Sequence, residues 1–155
     1  MKKKPAKKCT ILVLEDNRPL LEAINTMLEN SGFNVITARS VEQAFNAKLE
    51  KKKSPISISS IEQALKYLEE LEQVDAIWLD HSLLGNENGL DFVKKFKANG
   101  GRWSKIPVFV VSNNENTKTV KSYAECGVSK YYVKANHRLD EIIKDIKTQL
   151  DPVAV

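Results

Sequence analysis

Residues 74–85 read VDAIWLDHSLLG. Ala76 to Leu79 make an unbroken apolar run too short for an ordinary helix, and the run ends on Asp80 and His81. A strand apolar at successive positions is buried on both faces, the habit of a parallel sheet covered by helices. A carboxylate at the end of such a strand lies at the rim of the core, where a charge without a partner is costly. Fold and chemistry are therefore to be sought in what stands at the ends of the other runs of this kind.

Working outward, similar runs occur at TILVL (10–14) and IPVFVV (106–111), with shorter ones at FNVIT (33–37) and KYYV (130–133). Helical spacing separates them: Leu20, Ile24, Met27 and Leu28; Val93 and Phe96; Val120, Tyr123 and Ala124; and Leu139, Ile142, Ile143, Ile146 and Leu150. Gly32, Gly100 and Gly127 stand where helices should stop. Asn17 is placed to cap the first helix, Pro19 fits its first turn, and Asn88 with Asp91 resembles a capping box. The alternation of strand and helix predicts an α/β fold with an open, doubly wound parallel sheet.

SVEQAF at 40–45 is echoed by SIEQAL at 60–65, and both copies continue an apolar helical stripe. The echo is read as a local duplication that adds a helix between the second and third strands, with an insertion at about 46–60. Ile56 and Ile58 alternate as in a short edge strand, while Pro55 and the neighbouring serines equally suit a loop. Two copies do not make a solenoid.

The chain has 155 residues, 42% of them hydrophobic, which is one domain's worth of core. That domain is expected over 9–150, with a basic disordered tail at 1–8 and a short tail at 151–155. The lysines at 2, 3, 4, 7 and 8 outnumber the formal net charge of +4, so the rest of the chain is slightly acidic. A nucleic-acid partner, which would use those lysines, is not expected. No apolar run is long enough for a membrane span or a secretory signal, so a cytoplasmic protein without membrane contact is expected. Cys9 and Cys126 lack the spacing of a metal knuckle or redox pair.

Ligands of an open α/β sheet bind beyond the carboxyl ends of its strands. Those ends carry Glu15 and Asp16 after the first strand, Asp80 after the third, Ser112 after the fourth and Lys134 after the fifth. Neither GxxxxGK nor GxGxxG is present. Three converging carboxylates repel one another unless they share a cation. Magnesium suits an oxygen-only set that offers one or two carboxylates and leaves room for water. An aspartate oxygen so screened is a nucleophile for phosphorus, with Lys134 and Ser112 receiving the other phosphoryl oxygens. On this reading Asp80 is the phosphoacceptor.

ILVLEDN, AIWLD, VFVVSN and YYVKAN together resemble the receiver domain of two-component response regulators, over about residues 9–150. The resemblance implies a flavodoxin-like five-stranded sheet of order 2-1-3-4-5. It also implies Mg²⁺ on Glu15, Asp16, Asp80 and the backbone carbonyl of Ser82, and phosphoryl uptake on Asp80 from a sensor histidine kinase or phosphotransfer protein. Tyr131 falls at the family's switch aromatic, expected to turn inward when Ser112 closes on the phosphoryl group and to re-face a surface for a downstream protein target. Ser82 and Asn114 resemble the positions that set the lifetime of the acyl phosphate.

The pattern departs from the family in Ala135, where a proline usually follows the lysine, in the bulk of Asn113, in a longer loop after Asp80, and in the insertion. His81 is read as loop packing, since His137 shares no metal spacing with it. The expected function is a stand-alone phosphoacceptor, not a turnover enzyme; a receiver-like binding module that is never phosphorylated is the alternative. A DxDxT phosphatase is disfavoured because EDNRP lacks the second aspartate.

Overall fold

A computed structural model describes residues 8–39, 74–98 and 105–150. In chain order the elements are β1 (Thr10–Leu14), α1 (Arg18–Asn30), β2 (Asn34–Ala38), β3 (Ala76–Leu79), α2 (Gly89–Ala98), β4 (Val108–Ser112), α3 (Thr117–Glu125), β5 (Lys130–Val133), a 3-10 turn (Lys134–Asn136) and α4 (Leu139–Leu150). The strands form one sheet of order β2-β1-β3-β4-β5, and every pairing is parallel. The doubly wound sheet read from the apolar runs is thus present in the order that the resemblance implied. The duplicated helix, the insertion at 46–60, Gly100 and nearly all of both tails lie outside the described residues.

Alternation along each strand divides the core into two layers. Leu12, Leu14, Ile77, Leu79, Val108 and Val110 face Phe92, Val93 and Phe96 of α2 and Tyr123 of α3. Ile11, Val13, Ala76, Trp78, Phe109 and Val111 face Ile24 and Leu28 of α1 and Ile142, Ile143 and Ile146 of α4. Both faces are covered, which is why β3 can be apolar at every position. The apolar side chains of α1 and α4 named at helical spacing supply one layer; Val93 and Phe96 of α2 and Tyr123 of α3 supply the other, whereas Val120 is only half-buried and Ala124 is exposed on α3.

The caps follow the local chemistry. The Asn17 side chain accepts from the Leu20 N–H with Pro19 in the first turn. Asn88 and Asp91 exchange reciprocal backbone-to-side-chain bonds of 2.9 Å. Asn116, which the periodicity did not single out, caps α3. Strands β2 and β4 differ from the expectation at both ends, running to Ala38 instead of Thr37 and to Ser112 instead of Val111. Gly32 turns the chain at φ 95°, and the Phe33 N–H closes on the Leu28 carbonyl. Phe33 therefore packs into the core with α1, and β2 starts one residue later. Strand β4 begins at Val108 because Pro107 has no N–H for the ladder, although its carbonyl still accepts from Ile77.

Candidate functional site at the carboxyl edge of the sheet

The register carries the acids together. Leu14 is paired with Leu79, and the ladder continues one step further, with the Asp80 N–H donating to the Leu14 carbonyl at 2.8 Å and the Glu15 N–H to Ala38 at 3.0 Å. Glu15 and Asp80 thus leave the sheet side by side, with backbones still held by it. Leu79 pairs with Val110 and Ser112 with Val133, so Ser112 and Lys134 reach the same edge from the neighbouring strands. Glu15, Asp80 and Ser112 are the buried polar residues among those described.

Glu15, Asp16 and Asp80 each offer a carboxylate oxygen, and these atoms lie within 4.8 Å of one another. Lys134 Nζ donates to Glu15 Oε1 at 2.5 Å and stands 3.4 Å from Asp80 Oδ2. Burial, and then the hydrogen bond with Asp80, push the Glu15 acid from its ordinary 4.5 up to about 8, against the opposing pull of Lys134. One lysine does not offset three acids. A small, hard, doubly charged cation fits this all-oxygen donor set and offsets the mutual repulsion of the three acids.

The flank of the site is built from β4, β5 and the loop between β4 and α3. Ser112 Oγ accepts from the Asn114 N–H at 3.2 Å. The Tyr131 hydroxyl donates to the Asn114 carbonyl at 2.5 Å, and its half-buried ring packs against the layer that holds Tyr123. Burial pushes the Tyr131 phenol above its usual range, with a hydrogen bond to Ser112 opposing the shift. Lys134 enters the 3-10 turn directly, and no peptide bond is cis among the described residues, the one before Ala135 included. Ser82, two residues past Asp80, lies exposed in the loop that leaves the site.

Two parts of the setting were not legible as such. Arg39 donates from Nε and Nη2 to the Asp16 carbonyl at 3.1 and 2.9 Å, while its own carbonyl accepts from the Leu84 N–H at 2.9 Å. It ties the loop carrying Asp16 to the loop after Asp80. Its signal was the end of β2, which the apolar pattern set one residue short. His81 packs as expected of a loop histidine, but with a specific partner: its Nδ1 lies 2.6 Å from the Tyr123 hydroxyl. Nothing in the spacing of these two residues indicates that contact.

Comparison with known proteins follows the same lines. The family model described as "Response regulator receiver domain" matches residues 48–147. Glu15 and Asp16 precede that span, and the sheet register joins them to it. The cyclic di-GMP phosphodiesterase of Thermotoga maritima is 30% identical over 125 residues, which is 81% of this chain and 27% of that protein. The chain thus spans about a quarter of that curated relative's length. The Vibrio cholerae chemotaxis protein CheY4 superposes with a TM-score of 0.67 at 16% identity, covering 91% of this chain and 98% of that one. A response regulator receiver protein from Pseudomonas putida gives 0.69 at 19%, covering 92% and 98%. At these identities the likeness to solved structures carries the fold.

Proposed function

The chain belongs to the response regulator receiver domain family, and on that footing we propose that Asp80 accepts a phosphoryl group from a histidine kinase or phosphotransfer protein in a Mg²⁺-dependent step. The observation that carries this reading is the meeting of Asp80 with two further carboxylates and one lysine at a single sheet edge. Glu15, Asp16, Asp80 and the Ser82 carbonyl would hold the cation. When bound, Mg²⁺ neutralises acidic oxygens and the incoming phosphoryl charge.

The remaining steps belong to the protein's own residues. An Asp80 carboxylate oxygen attacks phosphorus, the P–O bond to Asp80 forms, and the donor's P–N bond breaks, its electron pair staying on the departing imidazole. Lys134 offers its ammonium to one phosphoryl oxygen from the residue after β5, and Ser112 its hydroxyl to another from the last residue of β4. Movement of Ser112 is then felt by Asn114 and Tyr131, which share hydrogen bonds with it in series. The outcome is a changed protein surface for a downstream target, and Asp80 is consumed rather than turned over. Among the described residues no helix is long and apolar enough to cross a membrane.

Incubation with Mg²⁺ and acetyl phosphate followed by intact mass tests the reading. One added phosphoryl group, absent in Asp80→Asn and without Mg²⁺, is expected. No uptake by the wild type favours the binding-module alternative.

A further inference from the structure

Two residues outside the acidic cluster join it to the tyrosine on its flank. Tyr123, on the inner face of α3, is fully buried. Its hydroxyl is 2.6 Å from Nδ1 of His81, the residue after Asp80, and the two rings meet edge to face with centroids 5.6 Å apart. A buried phenol needs a hydrogen-bond partner, and the imidazole is the one it has here. The same hydroxyl packs over Gly89: a Cβ built there would stand 2.6 Å from it and 2.5 Å from the Asp80 carbonyl oxygen. Gly89 in turn donates its N–H to the His81 carbonyl at 2.8 Å, closing the loop. The backbone of Asp80, the imidazole and the phenol therefore meet at one point. From behind, the Tyr123 ring is braced by Tyr131, with centroids 5.6 Å apart.

We propose that Tyr123 is a positioning residue for phosphoryl acceptance: by holding His81 from α3, it fixes the backbone that aims the Asp80 carboxylate. The proposal rests on Asp80 being the phosphoacceptor. The sheet holds Asp80 through its N–H, and its carbonyl oxygen lies close to Gly89, beside the Tyr123 hydroxyl. Removing the hydroxyl keeps the ring and its contact with Tyr131 but frees the imidazole. A small displacement of the attacking oxygen is enough to slow an in-line transfer. Because His81 and Tyr123 act as one unit, losing either should have the effect of losing both.

The test uses the full chain as Tyr123→Phe, His81→Leu and the double variant. Phosphoryl incorporation from acetyl phosphate at saturating Mg²⁺ is followed by intact mass, below the unfolding transition of every variant, with thermal unfolding recorded beside it. Each single variant is expected to react about tenfold more slowly, and the double variant no more slowly than either. Single effects that multiply in the double variant overturn the proposal. So do unchanged rates accompanied by lowered melting temperatures, which make Tyr123 a packing residue. Should His81→Leu fail to fold, the rate of Tyr123→Phe decides alone, since that change removes one oxygen atom. A wild type that takes up no phosphoryl group overturns the reading of Asp80 and this proposal together, whereas an active wild type with unaffected variants overturns the proposal only.

Discussion

Lys134 and Glu15, 119 positions apart in the chain, are joined by a 2.5 Å hydrogen bond at the carboxyl edge of the sheet. Glu15 is fully buried and Lys134 mostly so, which places the pair where charge is weakly screened. The ammonium also reaches Asp80, so the lysine bridges a prospective metal ligand and the prospective phosphoacceptor.

Lys134→Gln is therefore expected to separate two quantities. Without the ammonium the acidic cluster is more negative, so Mg²⁺ affinity should hold or rise. Phosphoryl uptake should fall by about 10²–10³, the usual loss of a charge aimed at a reacting group. Titration with Mg²⁺ beside single-turnover phosphorylation measures both, and a parallel loss of the two would show that the lysine serves only to build the site.

The raised acid of Glu15 makes the metal-free protein sensitive to pH. Glu15 is pushed up to about 8 in the folded chain from an ordinary 4.5. Between these values the folded state keeps a proton that the unfolded chain has released. This group's contribution is therefore full below 4.5 and is lost as pH rises through about 8. With a chelator present, the melting temperature should fall across that window more steeply for the wild type than for Glu15→Gln. Mg²⁺ should flatten the fall, since it binds the carboxylate form. Equal slopes in wild type and variant would contradict the assignment.

Gly89→Ala tests a close approach rather than a backbone conformation. The added methyl would meet the Asp80 carbonyl oxygen at 2.5 Å and the Tyr123 hydroxyl at 2.6 Å. Overpacking of this kind costs about 1–3 kcal/mol, and relief by moving Asp80 should cost phosphoryl uptake as well. Denaturant unfolding and the acetyl phosphate reaction, run on the same preparation, should both register the change.

Arg39→Gln should weaken Mg²⁺ binding by about tenfold, because the fork that fixes the Asp16 carbonyl is lost while the carboxylates remain. Calorimetric titration reads this directly. Unaltered affinity would reduce Arg39 to a loop contact.

What was legible in the sequence and what was not divide along physical lines. Glu15, Asp80, Ser112 and Lys134 could be placed because apolar runs buried on both faces announce their own ends, and a parallel sheet aligns those ends. Asp16 followed as the next residue along. Arg39 is hidden by one residue of register: the pattern FNVIT stops at Thr37, whereas β2 runs to Ala38 and makes Arg39 the first residue past its end. The His81–Tyr123 contact is of another kind: it depends on how α3 lies against the loop after Asp80, and neither residue's neighbours in sequence encode that. The echo between 40–45 and 60–65 falls outside the described residues, so the helix inferred from it stands as an expectation.

The most direct measurement is chemical. Protein treated with acetyl phosphate and Mg²⁺ is reduced with borohydride, which converts an acyl phosphate on aspartate to homoserine, and the peptides are sequenced by mass spectrometry. Homoserine at position 80 alone is the expected result; reduction at 15 or 16, a phosphate ester on Ser112, or no modified residue at all would contradict Asp80 as the acceptor.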